Sequence, residues 1–266
     1  MSVIYRPVTA IDPGMKKVSV FKFLVRIAGM FLIFAGTTSS YLLFPANRRS
    51  LPARAAWLQR WSRRTLRLID MEVRVTGTEP KPGLVASNHM SYLDVLVLSS
   101  IRPKIFLAKD EVKAWPLFGA FARWAGSVFI DRGKRSAVST KAGEFQEVVA
   151  AGLPVVVFLE GTTTDGRSVL PFRTALLEPA IKAGWPVAPC ALHYQAVGAR
   201  ASDTIAYHGN MTLVPHLMGL LRRVVRSEAR VAFGPAATEC SDRKELAGSL
   251  HRQVLLMKEN LVGDGA

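Results

Sequence analysis

His89 and Asp94, five residues apart in SNHMSYLD, are the pair in this chain best placed to move a proton. A carboxylate that holds one imidazole nitrogen leaves the other free to accept a proton, as a general base does. On a straight helix, residues five apart point about 140° from one another. The pair can meet only if His89 sits in the turn before a helix and the chain curls back. A second role competes for the carboxylate. Ser91-x-x-Asp94 has the spacing of a helix-capping box, and Asn88 and His89 would then be plain turn residues. The chain has no G-x-S-x-G nucleophile elbow and no H-E-x-x-H zinc pattern. A base at His89 would therefore act on a substrate hydroxyl, not on an enzyme serine.

A second stretch, GTTTDGRS from Gly161 to Ser168, departs from the phosphate-loop pattern at one place, where Arg167 stands for the lysine. Asp131 in SVFID would then stand for the strand-ending aspartate of such proteins. A phosphate loop needs a helix directly after it, because the helix N-terminus and the backbone amides hold the anion. Here VLPFR follows, and Pro171 suits a helix only in its first turn. A planar guanidinium also differs from the compact ammonium such loops use. The nucleotide reading loses both its context and its key residue.

The elements around these motifs read as an alternation. MEVRVTG, GLVAS, IFLA, SVFID, PVVVF, PVAPCALHY and RVAF have strand character, separated by helical stretches such as YLDVLVLSSI and KRSAVSTKAGEFQEVVAAG. A closing helix follows, capped by Ser241. This pattern gives an α/β fold, a mixed and largely parallel sheet flanked by helices. His89 falls where a strand opens into a helix, the usual place for ligand sites in such sheets. MTLVPHLMGLLRRVVRS, Met211 to Ser227, is apolar with a basic end. It reads equally as a membrane-facing helix or as a buried one whose macrodipole favours the arginines.

The net charge of +15 and pI near 10.3 ask for an anionic partner. From Met15 to Ile69 there is no Asp or Glu and there are eleven Lys and Arg, around an uncharged run from Ile27 to Asn47. That run is just long enough to cross a bilayer, but GTTSS at its centre is weakly polar. Basic residues on both flanks favour a hairpin that dips in and returns, with a break near Gly36–Ser40, over a single span. Trp57, Trp61 and Leu68 form a helical stripe among arginines and suit the headgroup layer of an anionic membrane. The domain reading is a membrane-associating segment, 1–70, ahead of a catalytic α/β domain, 71–266. Cys190 and Cys240 have no metal or disulfide spacing. Nucleic acid as the partner would leave the uncharged run unexplained, and no nucleic-acid motif is present.

Four ordered blocks resemble the lysophospholipid acyltransferase family, which includes the 1-acylglycerol-3-phosphate acyltransferases. They are N-H-x-x-x-x-D (Asn88, His89, Asp94), G-x-x-F-I-x-R (Gly126, Phe129, Ile130, Arg132), FLEGTTT (Phe158–Thr164) and WPVAP (Trp185–Pro189). The resemblance covers about Val73 to Pro235. It implies transfer of an acyl group from acyl-CoA or acyl carrier protein, as co-substrate, to a lysolipid hydroxyl. No metal or other cofactor is implied. His89 would be the base and Asp94 its orienting group. Asn88, Phe129, Arg132, Glu160, Gly161, Thr162 and Arg173 would bind substrate. The implied setting is the cytoplasmic side of a bacterial-type inner membrane. Lysophosphatidic acid is the first acceptor expected and lyso-ornithine lipid the alternative. Leu159 and Thr163 replace the proline and arginine of the third block, and EGTTTDG with YHGNMTLVPHL looks like the lyso-ornithine branch. A membrane-bound thioesterase using water is the nearest rival.

Overall fold

Strands β2 (Gly83–Ser87) and β5 (Pro154–Phe158) are short apolar runs buried along their entire length, as strands covered on both faces must be. They lie side by side and parallel at the middle of a seven-stranded sheet. The computed structural model describes residues 17–79, 82–131, 141–197, 199–223, 226–238 and 242–263. The other strands are β1 (Met71–Thr76), β3 (Ile105–Lys109), β4 (Val128–Ile130), β6 (Val187–Ala196) and β7 (Ser227–Phe233). The sheet order is β1-β7-β6-β2-β5-β3-β4, and only β6 and β7 pair antiparallel. The expected mixed, largely parallel sheet is the one observed.

Alternation along the central strands splits the core in two. Leu84, Ala86, Val155 and Val157 face one cluster, while Val85, Val156 and Phe158 face the other. Helices α1 (Val20–Leu43), α2 (Leu51–Leu68) and α3 (Leu93–Ile101) contribute to the second cluster. Beyond α4 (Phe118–Trp124), helices α5 (Ala142–Ala150) and α6 (Glu178–Ala183) cover the first. After the short α7 (Ala201–Thr204), helix α8 (Leu213–Arg223) joins the second face through Leu220 and Leu221. The closing helix α9 (Arg243–Gly263) packs on the first. Of the expected helix over KRSAVSTKAGEFQEVVAAG, residues 134–140 lie outside the described residues, as do Ser241 and Cys240.

The N-terminal helices correct two expectations. α1 runs unbroken through Gly36–Ser40 and the chain reverses only at Phe44, in a 3-10 turn over Pro45–Arg48. The polar centre does not break the helix because its hydroxyls bond within it: Thr37 Oγ1 donates to Ile33 O and Ser40 Oγ to Thr37 O. The tryptophan stripe of α2 faces inward rather than to a headgroup layer. Trp57 is 0% exposed, and both Trp57 and Trp61 donate their indole N–H to Ser40 Oγ at 3.0 Å. Close approach is possible because Gly29 and Gly36 carry no side chain. A Cβ there would lie 2.5 Å from Leu68 and from Trp61.

α1 is fastened at both ends. Val18 N donates to Arg222 O, and buried Arg26 donates to Leu221 O, Ile69 O and Asp70 Oδ2. At the other end Tyr41 stacks on Trp124 with ring centroids 4.6 Å apart. By length and composition α1 is the one candidate membrane span among the described residues. One of its faces packs on the protein, and the other exposes Phe21, Leu24, Val25, Phe31, Leu32, Leu42 and Leu43.

Candidate active site

The register of the central strands builds the site. Ser87 of β2 is level with Phe158 of β5 and Cys190 of β6, so the residues that follow β2 and β5 emerge together. Leu159 N donates to Ser87 O, and His89 N donates to Glu160 Oε1 at 2.6 Å. His89 sits in the turn before α3, the placement that a five-residue spacing requires. Its Nδ1 lies 2.7 Å from Asp94 Oδ2. That oxygen also accepts the backbone N–H of Met90 and Ser91, while Oδ1 accepts the Tyr194 hydroxyl at 2.6 Å. The capping and orienting roles are therefore not alternatives, because one carboxylate holds the turn and the imidazole together. Asp94 is 0% exposed, and four donors compensate its buried charge. Burial and the neighbouring carboxylate push the Tyr194 hydroxyl well above the usual phenol range, so it remains a donor.

The imidazole stacks on Phe158, ring centroids 3.8 Å apart, and is 19% exposed at the side chain. Its Nε2 has no hydrogen-bond partner among the described residues. His89 lines a cavity of about 350 Å3 whose walls come from α1, α2, α3 and α4, including Met30, Phe34, Trp57, Leu96 and Phe121. The lining is almost all apolar, and it includes Gly161, Thr162 and Thr163. Trp115, Tyr92 and Tyr207 line it as well.

The expected substrate-binding residues separate into groups. Gly161 and Thr162 face the cavity. Arg173 is exposed beside them, and a Cβ on Gly161 (φ +75) would meet its Nε at 2.1 Å. Asn88 and Glu160 turn inward instead. Asn88 is buried, and its amide bonds Leu192 in both directions, Nδ2 to Leu192 O and Leu192 N to Oδ1. It straps β2 to β6. Glu160 is buried and spends both oxygens on backbone, accepting from His89 N and Leu170 N. Burial pushes its carboxyl up to about 7. Phe129 is buried in β4 and is not among the cavity's lining residues. Arg132 lies outside the described residues.

The loop after Glu160 serves the histidine turn. Thr164 donates its N–H and its hydroxyl to His89 O, and Gly166 (φ +77) lies where a Cβ would meet Met90 Cε at 2.0 Å. Lys258 of α9 holds the far limb, donating to Gly166 O and Ser168 O, and His251 bonds Val169 O. Met90 occupies the inside of the loop, and no helix starts at Ser168, so the loop lacks the helix N-terminus that a phosphate loop needs. Sequence reasoning missed Tyr194, Phe158 and Lys258. Phe158 stood inside a quoted block, but nothing local marked Tyr194 or Lys258, which are about 100 and 170 residues from His89.

Residues 72–193 match the family model described as Acyltransferase. Over 255 residues the chain is 34% identical to the lyso-ornithine lipid O-acyltransferase of Brucella abortus, covering 88% of this chain and 96% of that protein. The chain belongs to the acyltransferase family. Over 189 residues this acyltransferase is also 39% identical to the 1-acyl-sn-glycerol-3-phosphate acyltransferase of Neisseria gonorrhoeae, covering 70% of this chain and 73% of the other. Its fold is that of the crystal structure of the 1-acyl-sn-glycerophosphate acyltransferase of Thermotoga maritima. The TM-score is 0.66 at 20% identity, over 91% of this chain and 95% of that one. The apolar α1 and the membrane-lipid relatives together point to membrane association of the enzyme.

Proposed function

We propose that this enzyme transfers a fatty acyl group from an acyl thioester, acyl-CoA or acyl carrier protein, to the free hydroxyl of a lysolipid. The observation that carries the reading is the His89–Asp94 pair at the wall of the apolar cavity, with Nε2 unpaired and no serine or cysteine among the described residues bonded to it. The acceptor oxygen attacks the thioester carbonyl carbon as its proton passes to Nε2. The C–S bond breaks, and the thiolate leaving group takes the proton back. Asp94 keeps the proton on Nδ1 and stabilises the imidazolium that forms. The apolar cavity accommodates the acyl chain. The exposed face of α1 lies in one leaflet of an anionic membrane, with the catalytic domain on the cytoplasmic side of a bacterial inner membrane.

For the acceptor we favour lyso-ornithine lipid, the reverse of the order expected from the sequence. The sequence similarity to an enzyme of that name runs nearly the full length of both chains, and Thr163 lines the cavity where the motif's arginine would stand. Arg173, against the Gly161 turn, supports lysophosphatidic acid as a second acceptor. The test is acyl transfer by membranes carrying the protein, with labelled acyl-CoA and acyl carrier protein as donors and each acceptor supplied alone. The expected result is acylated lyso-ornithine lipid, reduced by about 10³-fold or more in His89→Ala. Product from lysophosphatidic acid alone would overturn the acceptor. Free fatty acid without either product, or full turnover by His89→Ala, would overturn the reaction or its base.

A further inference from the structure

Helix α8 carries a stripe at Val214, Met218 and Arg222, four residues apart and so on one helical face. Val214 is 68% and Met218 40% exposed, and Arg222 is exposed beyond them. The opposite side is occupied. Leu220 is buried and lines the cavity with the flanking Leu217, and His216 Nδ1 lies 3.1 Å from the Tyr92 hydroxyl. An amphipathic helix with apolar residues on its outward face has no reason of folding to keep them there.

The neighbour of that stripe indicates what covers it. The N-terminal end of α1 lies against the C-terminal end of α8 through Val18 N to Arg222 O and Arg26 Nη1 to Leu221 O. Arg222 sits over the Phe23 ring at 5.6 Å. The end of α1 that meets α8 also exposes Phe21, Leu24 and Val25. Both segments are free of acids, from Met15 to Ile69 and between Asp203 and Glu228. Apolar residues beside arginines, with the neighbouring Asp70 already paired to Lys22 and Arg26, complement an anionic leaflet and not a polar protein surface.

We propose that α8 is a second membrane-binding element: Val214 and Met218 enter the same anionic leaflet as the outer face of α1, and Arg222 pairs with its headgroups. Because the inner side of α8 lines the cavity beside Tyr92, this contact holds the cavity wall against the lipid. The inference rests on the membrane association in the proposed function, and its test is read without acyl transfer, so the failure of either is seen separately.

The measurement is co-flotation of the purified full chain with vesicles of phosphatidylglycerol and phosphatidylcholine. Val214→Asp/Met218→Asp is expected to weaken partitioning by about tenfold or more. Leu256→Asp, equally exposed (62%) but on α9 across the sheet, is expected to leave it unchanged. Arg222→Glu is expected to weaken binding to vesicles containing phosphatidylglycerol and not to pure phosphatidylcholine. A folding defect is bypassed by an environment-sensitive dye on Met218→Cys in a Cys240→Ser chain. Its emission is expected to shift to the blue on adding vesicles, and that of the same dye on Leu256→Cys is not. Wild-type partitioning of the double variant, or no shift at position 218, would overturn the proposal.

Discussion

Replacing Lys258 by methionine keeps the length of the side chain and removes its charge. The ammonium donates to Gly166 O at 2.5 Å and Ser168 O at 3.3 Å, each bond to a charged donor being worth about 1.5–3 kcal/mol. Burial, which holds the Lys258 pKa below the usual lysine range, opposes that gain. The net stability change is then small, and Tm should move by less than about 5 °C. Activity should change more. Glu160 faces Lys258 and Asp94, and Arg173 lies over the adjoining Gly161. Lys258 in turn faces Asp165 and His193. Glu160 titrates at about 7 because burial raises it; the Leu170 and His89 N–H groups lower it first, and the Lys258 charge adds to them. Loss of the ammonium should raise it further. The ionised fraction at pH 7, about a half, would then fall. Only the carboxylate offers both oxygens to His89 N and Leu170 N, so kcat at pH 7 should fall severalfold and recover as pH rises. Stability runs the other way: a carboxyl raised from 4.5 to about 7 contributes most below pH 4.5 and loses that contribution as pH rises through 7, about 3 kcal/mol in all. The assay is the pH profile of kcat for wild type, Lys258→Met and Lys258→Arg. An acid limb that stays in place in a folded Lys258→Met enzyme would refute the electrostatic part of the reasoning, and a loss equal at every pH would reduce Lys258 to a loop tether.

Asp94→Asn should lower kcat by about 10³-fold with little change in KM, because an amide cannot accept from Nδ1, two backbone N–H groups and a phenol at once; steady-state kinetics decides. Gly166→Ala places a Cβ 2.0 Å from Met90 Cε at φ +77, and should cost about 1–3 kcal/mol, read as a Tm lower by several degrees.

The sequence reveals most about elements whose two faces are alike. β2 and β5 are buried on both sides, so an apolar run is enough to find them, and the motif that follows β2 has to lie at its carboxyl end. Asp94 was legible as partner of His89 because the geometry of a helix allows the meeting only in one way. Asn88 and Glu160 were not, since a polar residue beside a base looks the same whether it points at substrate or at backbone. Their true partners, Leu192 and Leu170, are fixed by strand order and loop closure, which no local pattern carries. The stripe of Trp57, Trp61 and Leu68 failed for a related reason. An apolar face shows that something covers it, and the cover here is α1, admitted by Gly29 and Gly36.

Arg26 shows why composition alone misleads for α1. It stands in the one described helix apolar enough for a span, and it is 1% exposed inside the protein. Its guanidinium bonds the carbonyls of Ile69 and Leu221, at the C-terminal ends of α2 and α8, where helix dipoles favour a cation. It also reaches Asp70, which Lys22 joins at 2.6 Å. To cross a bilayer, α1 would have to leave all of these partners and carry the charge into hydrocarbon, at a cost of several kcal/mol. Docked as it is, the helix keeps Arg26 bonded to Leu221, Ile69 and Asp70, supplies Met30 and Phe34 to the cavity wall, and leaves only its apolar face for lipid. The same residue that makes α1 a poor span therefore fixes it against α2 and α8, and the apolar cavity is complete only while that contact holds.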